Sequence, residues 1–130
     1  MKNIFTIIIL LSITYTSTVL GQTKEIKLPN EFVGGWVMEP SHCEMAYFIN
    51  IYYEDKNLQV SGYEWHSSIV ELEKEKDFYI FSIQGFSEGE EFNATLKMKV
   101  DEEGNLILDD DSYEFCCGES TGDNKLIKCQ

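Results

Sequence analysis

The chain has 130 residues, 23 acidic against 10 basic side chains, a formal net charge of −13 and no arginine. Binding to phosphate needs cationic side chains that displace counterions, and the guanidinium fork that reads guanine is missing, so nucleic acid is excluded as a partner. Such a surplus of carboxylates keeps a small protein soluble or steers it toward basic partners.

The first segment, "MKNIFTIIILLSITYTSTVLGQ", has a lysine, then a largely apolar run from Ile4 to Ile13, then small and hydroxylic residues up to Gly21. This pattern predicts a secretory signal peptide over 1–21, with cleavage after Gly21. The run is too short for a membrane-crossing helix, which needs about 20 apolar residues. No cysteine stands at the cleavage position to take a lipid. Residues 22–130 are therefore expected to form one secreted or periplasmic domain without a membrane anchor.

From Phe32 onward, short runs of β-branched and aromatic residues alternate with polar turn clusters, which predicts strands. In chain order they are "FVGGWVM" (32–38), "YFINIYY" (47–53), "NLQVSGYEW" (57–65), "SIVELEK" (68–74) and "FYIFSIQ" (78–84). "EFNATLKMKV" follows, then "NLILD" (105–109), "YEFCC" (113–117) and "KLIKC" (125–129). The clearest is "EFNATLKMKV", where Phe92, Ala94, Leu96, Met98 and Val100 alternate with polar residues and so share one face. The linker 39–45 has room for one helical turn. Gaps such as "EDKN", "EKEKD", "SEGEE" and "DEEGN" suit hairpins and are far too short for parallel crossovers. The expected fold is all-β, an antiparallel up-and-down meander of about eight or nine strands, closed into a barrel because closure removes both exposed edges.

The opening "NEFVGGWVM", with Gly34, Gly35 and Trp36 at the first strand, resembles the Gly-Trp start of calycin-type barrels, the lipocalins and their small bacterial lipocalin-like relatives. In that superfamily the tryptophan closes one end of the barrel over the first strand. The resemblance spans most of residues 22–130 through strand number and meander order. It implies a barrel interior or open end that binds a small apolar molecule, or a rim that binds another protein.

Cys43, Cys116, Cys117 and Cys129 in a short secreted chain point to two disulfides. A bond between Cys116 and Cys117 is disfavoured because a trans peptide holds Cα atoms about 3.8 Å apart, below the usual disulfide range. The expectation is therefore that Cys43 joins one of the adjacent pair and Cys129 the other, the two neighbours pointing to opposite faces of a strand. Adjacent cysteines also lack the two to four intervening residues that zinc ligands prefer, and no Cys-x-x-Cys is present. No metal and no cofactor are expected.

His42 and His66 belong to no ligand motif, and Glu64 with His66 could form an acid/base pair only if one strand ran through both. No nucleophile accompanies them, and the protein is read as a non-catalytic binding protein. The acidic clusters "LDDDS" and "DEEGN" are read as solvated turns rather than calcium loops. "NAT" (93–95) is a glycosylation sequon that matters only in a eukaryotic host. Abundant aromatics fill a core or line a cavity, and Trp36, Tyr63 and Trp65 are the expected ligand neighbours. The rival reading is an acidic module that inhibits a basic secreted enzyme, such as a lysozyme, and binds with steep salt dependence.

Overall fold

The computed structural model describes residues 27–120 and 122–130; the signal segment 1–21 lies outside them. Eight strands run in meander order: β1 (Gly34–Val37), β2 (Ile49–Glu54), β3 (Asn57–Gly62), β4 (Trp65–Glu75), β5 (Phe78–Ser87), β6 (Glu90–Val100), β7 (Leu106–Leu108) and β8 (Lys125–Lys128). Each pairs antiparallel with its neighbour in sequence, and β8 returns to pair with β1, so the sheet is a closed barrel. The closing ladder sets Trp36 opposite Lys128 and Val37 opposite Ile127. No unpaired sheet edge then runs the length of the barrel.

The period-two pattern of β6 holds: Leu96 and Met98 are buried inside, and Phe92, Ala94 and Val100 pack against the same core. In β4 the pattern is broken by a bulge between Ile69 and Glu71. The extra residue, Val70, lets Ile69 and Leu72, three apart in sequence, both turn inward opposite Ile83 and Phe81. Ile49, Ile51, Val60, Phe81, Leu106 and Leu126 fill the remaining interior, so the middle of the barrel is a packed core.

One end is closed by the chain that precedes β1. A 3-10 turn at Asn30–Phe32 lays Phe32 over the core, edge-on to Tyr79 with centroids 5.3 Å apart. The Trp36 indole is fully buried there and donates its Nε1–H to the Phe32 carbonyl at 2.9 Å. Lys128 lies over the Trp36 ring at 5.5 Å and donates from Nζ to the Glu31 carbonyl. A buried indole needs such an acceptor, because an unmade hydrogen bond in the core costs about 1–3 kcal/mol.

Two expectations are overturned. "YEFCC" is not a ninth strand: it forms the end of an α-helix, α1 (Asp110–Cys117). Asp109 caps α1 by accepting from the Ser112 N–H at 2.9 Å, and Asp110 and Asp111 suit the positive end of the helix dipole. With helical spacing, Tyr113, Cys116 and Cys117 meet the core together. The disulfides also differ from expectation: Cys43 joins Cys129, and Cys116 joins Cys117. The adjacent pair is bonded across a trans peptide at a Cα separation of 3.7 Å, so the short separation did not prevent the bond. Because neighbours on a helix are about 100° apart rather than on opposite faces, the two cysteines are not sent to different partners as they would be on a strand. Cys43 comes from a second 3-10 helix, Pro40–Glu44, after β1, while the Cys129 N–H donates to the Gly35 carbonyl. That brings the two Cα atoms to 5.6 Å.

The Cys43–Cys129 bond spans 86 residues and in the chain-entropy model stabilises the fold by about 4–5 kcal/mol. Non-reducing peptide mapping is expected to recover the Cys43 and Cys129 peptides as one linked species, with Cys116 and Cys117 in a single peptide lighter by two hydrogens. Cys129→Ser, followed by urea unfolding, should lower stability by about 2–5 kcal/mol.

In the β6–β7 loop, Asp101 accepts backbone N–H bonds from Asn105 at 2.9 Å and Glu103 at 3.0 Å. The Asn105 bond, with smaller help from Glu103 and from the Lys125 charge, holds the Asp101 carboxyl below its ordinary value. A depressed folded value means that this contribution is complete above the unfolded carboxylate pKa and is lost as pH falls through the folded one. An NMR titration of carboxyl carbons should show Asp101 protonating below the usual aspartate range, and Asn105→Pro should return it toward that range.

Candidate functional site

At the other end of the barrel, three pieces of chain surround an opening: the segment after β1, the β3–β4 turn and the C-terminal end of α1. Between them is a half-open cavity of about 510 Å³, lined by Met45, Tyr47, Phe48, Tyr63, Trp65 and Phe115 among others. His42, Ala46, Cys116 and Cys117 complete its wall.

The local sequence explains how each piece arrives. β7 is only three residues long, and beyond it the β6 edge is taken over by α1. The Asp109 N–H donates to the Lys97 carbonyl, and the Ser112 hydroxyl accepts the Lys97 N–H at 2.7 Å, so side chain replaces strand in the ladder. On the far side of the helix, Asn124 donates from Nδ2 to Asp110 at 2.6 Å, and the Ser120 hydroxyl donates to Asn124 at 2.7 Å. These bonds pin α1 between β6 and β8. Its last turn then presents Phe115 to Trp65 at 5.1 Å and to Phe92 at 5.7 Å.

Two glycines seat two of the aromatic rings. A Cβ on Gly62 would collide with the indole of Trp65, which lies across it, and a Cβ on Gly35 would collide with the ring of Tyr47. Gly62 and Trp65 are also paired in the β3–β4 register. The absent side chains make floor space for the rings. On the opposite wall, His42 lies beside Phe48, ring centroids 5.9 Å apart and planes tilted by 52°, and its buried Nδ1 has no hydrogen-bond partner among the described residues.

The predicted ligand neighbours fall at opposite ends. Tyr63 and Trp65 line the cavity; Trp36 lies buried in the closed end and does not. Tyr47, Phe48 and Phe115 belong to the site, and their aromatic character was the visible signal, but nothing local places the segment 42–48 beside α1. The Glu64–His66 pairing has no strand to carry it. Glu64 sits in the β3–β4 turn with φ of 65°, and His66 faces outward against Phe86. The acidic clusters serve as a helix cap and a loop staple, as the bonds of Asp109 and Asp101 show. Asn93 of the sequon is exposed on the outer side of β6. Among the described residues, no group of three or more His, Cys, Asp or Glu side chains is arranged to hold a metal ion.

The fold and site define a closed eight-stranded up-and-down β-barrel with a packed middle and an aromatic cavity at one mouth. Comparison with protein-family models, with curated proteins and with solved structures finds no match.

Gly62→Ala is expected to displace the Trp65 ring, cost about 1–3 kcal/mol in urea unfolding and shift the tryptophan emission. An unchanged emission maximum and midpoint would show that the ring does not depend on that space.

Proposed function

We propose that the protein is a secreted or periplasmic, non-catalytic binding protein, lipocalin-like in architecture, which takes a small apolar molecule at the barrel mouth. The observation that carries this reading is the aromatic cavity. Small-molecule sites are concavities of about 300–1,000 Å³, mostly apolar with a few polar groups to fix orientation, and the volume and lining here fall in that class. The Tyr47 and Tyr63 hydroxyls and the unpartnered His42 Nδ1 supply the polar groups.

With the middle of the barrel packed, the proposed ligand site is the rim and not the deep interior. Contact at the rim leaves the body of the barrel free to supply rigidity, since most interior side chains are fully buried. The two disulfides fit an oxidising compartment, in keeping with the signal-like leader.

A neutral apolar fluorophore, N-phenyl-1-naphthylamine, tests the proposal. It should bind saturably at one site, quench part of the tryptophan emission through Trp65, and be displaced in Ala46→Trp, where the new indole fills the cavity. Glu102→Gln, in the β6–β7 loop at the opposite end, should bind as the parent does. Absence of saturable binding, or equal binding to Ala46→Trp, would refute the reading.

A further inference from the structure

The two ends of the barrel differ in charge as well as in shape. Among the described residues, Lys56 and Lys76 occupy the β2–β3 and β4–β5 turns with positive φ, and Lys27 precedes the closing 3-10 turn. Lys74 lies over Tyr79, Lys97 and Lys99 over Phe78, and Lys128 over Trp36. Lys125 acts on Asp101 in the β6–β7 loop. All of these positions belong to the closed end or the half of the barrel next to it.

The three segments around the opening, 38–48, 63–66 and 109–120, and the β5–β6 hairpin 86–92 at the same end of the barrel hold carboxylates but no lysine or arginine. Glu44 precedes Met45, Glu64 stands between Tyr63 and Trp65, Glu114 precedes Phe115, and Glu119 follows the Cys116–Cys117 pair; all four are exposed. Met45 is 70% exposed, Tyr63 65% and Phe115 41%, so apolar and aromatic surface faces outward at the same end. A cavity with π-faces at its entrance and a one-sign field around it discriminates by charge.

On this basis, and resting on the cavity reading above, we infer that the ligand is a cationic amphiphile: an apolar body carrying a protonated amine or quaternary ammonium group. The apolar body enters between Trp65, Phe48 and Phe115. The cation stays at the rim against the Tyr47 and Tyr63 rings, within the field of the surrounding carboxylates. An anionic amphiphile of the same length meets the same apolar walls but is repelled at the rim, where no described cation compensates it. Charge selection is thus placed at the rim and apolar affinity in the cavity, and the two are separable by mutation.

Titration calorimetry on the oxidised chain with three probes sharing one alkyl tail, decyltrimethylammonium, decanol and decanoate, each below its micelle concentration, separates the terms. The ammonium should bind about tenfold more tightly than decanol at low salt, the scale of a cation held against aromatic faces, and decanoate should bind least. Raising the salt should shrink the spread, because the field is screened. In the variant Glu44→Gln with Glu64→Gln, the ammonium should weaken several-fold while decanol is unchanged. Equal binding of ammonium and decanol at low salt would overturn the charge selection and leave the cavity reading standing. Ammonium binding that survives in Ala46→Trp would be adsorption outside the cavity and would likewise overturn it. Failure of all three probes would remove the cavity reading and this inference together.

Discussion

The structure depends on closure of the sheet through the short ladder between β1 and β8. Only Trp36 with Lys128 and Val37 with Ile127 are paired there, so the ladder itself supplies few backbone bonds. It is reinforced from two sides. Inside, the Trp36 indole is fixed to the preceding 3-10 turn by its bond to Phe32 and covered by Lys128. Outside, the Cys43–Cys129 disulfide ties the segment after β1 to the end of β8. A barrel of this size has a modest core, and a covalent restraint at its closing seam acts where a lost strand pair would reopen both edges.

Closure also has a consequence for the site. Because β1 and β7 are short, the ladder cannot run to the second mouth, and other chain must cover the backbone and apolar side chains left there. Helix α1 does so on one side, continuing the β6 ladder through Ser112 and adding Phe115 to the Trp65 and Phe92 cluster. The segment after β1, held by the disulfide, supplies the opposite wall. The cavity is the space those two substitutes leave between them. Two of its walls are therefore formed by elements outside the regular meander, and the third by the β3–β4 turn with Trp65 at the start of β4.

The two ends of the barrel differ in chemistry. At the closed end, lysines lie over aromatic rings and within the turns, where their stems cover apolar surface and their charges reach water. The mouth has no such cations among the described residues, and Tyr63 and Phe115 there stay exposed. A net charge spread evenly would serve solubility alone. The distribution here is uneven, with a lysine-free rim beside an apolar cavity, and it is this asymmetry on which the proposed preference for a cationic ligand rests.

The strand pattern was legible in the sequence because alternation along a chain reports the face of each residue directly: β6 reads as it folds, and short hairpin gaps leave only an antiparallel meander. Trp36 was expected beside the ligand and instead lies in the closed end, while Tyr63 and Trp65 were read within one strand, 57–65, which the structure breaks at 63–64 into β3 and β4. The helical state of 113–117 was decided by the Asp109 cap and by contacts of Tyr113, Cys116 and Cys117 with a core assembled from distant strands, which no local alternation expresses. The Cys43–Cys129 pairing followed from the closed barrel, which brings two residues 86 apart in sequence to a Cα separation of 5.6 Å and leaves Cys116 and Cys117 to pair with each other. Composition and hairpin spacing thus determined an acidic all-β meander; the tertiary structure alone decided where the cavity lies, because its walls come from segments about 70 residues apart that meet only after β8 has closed on β1.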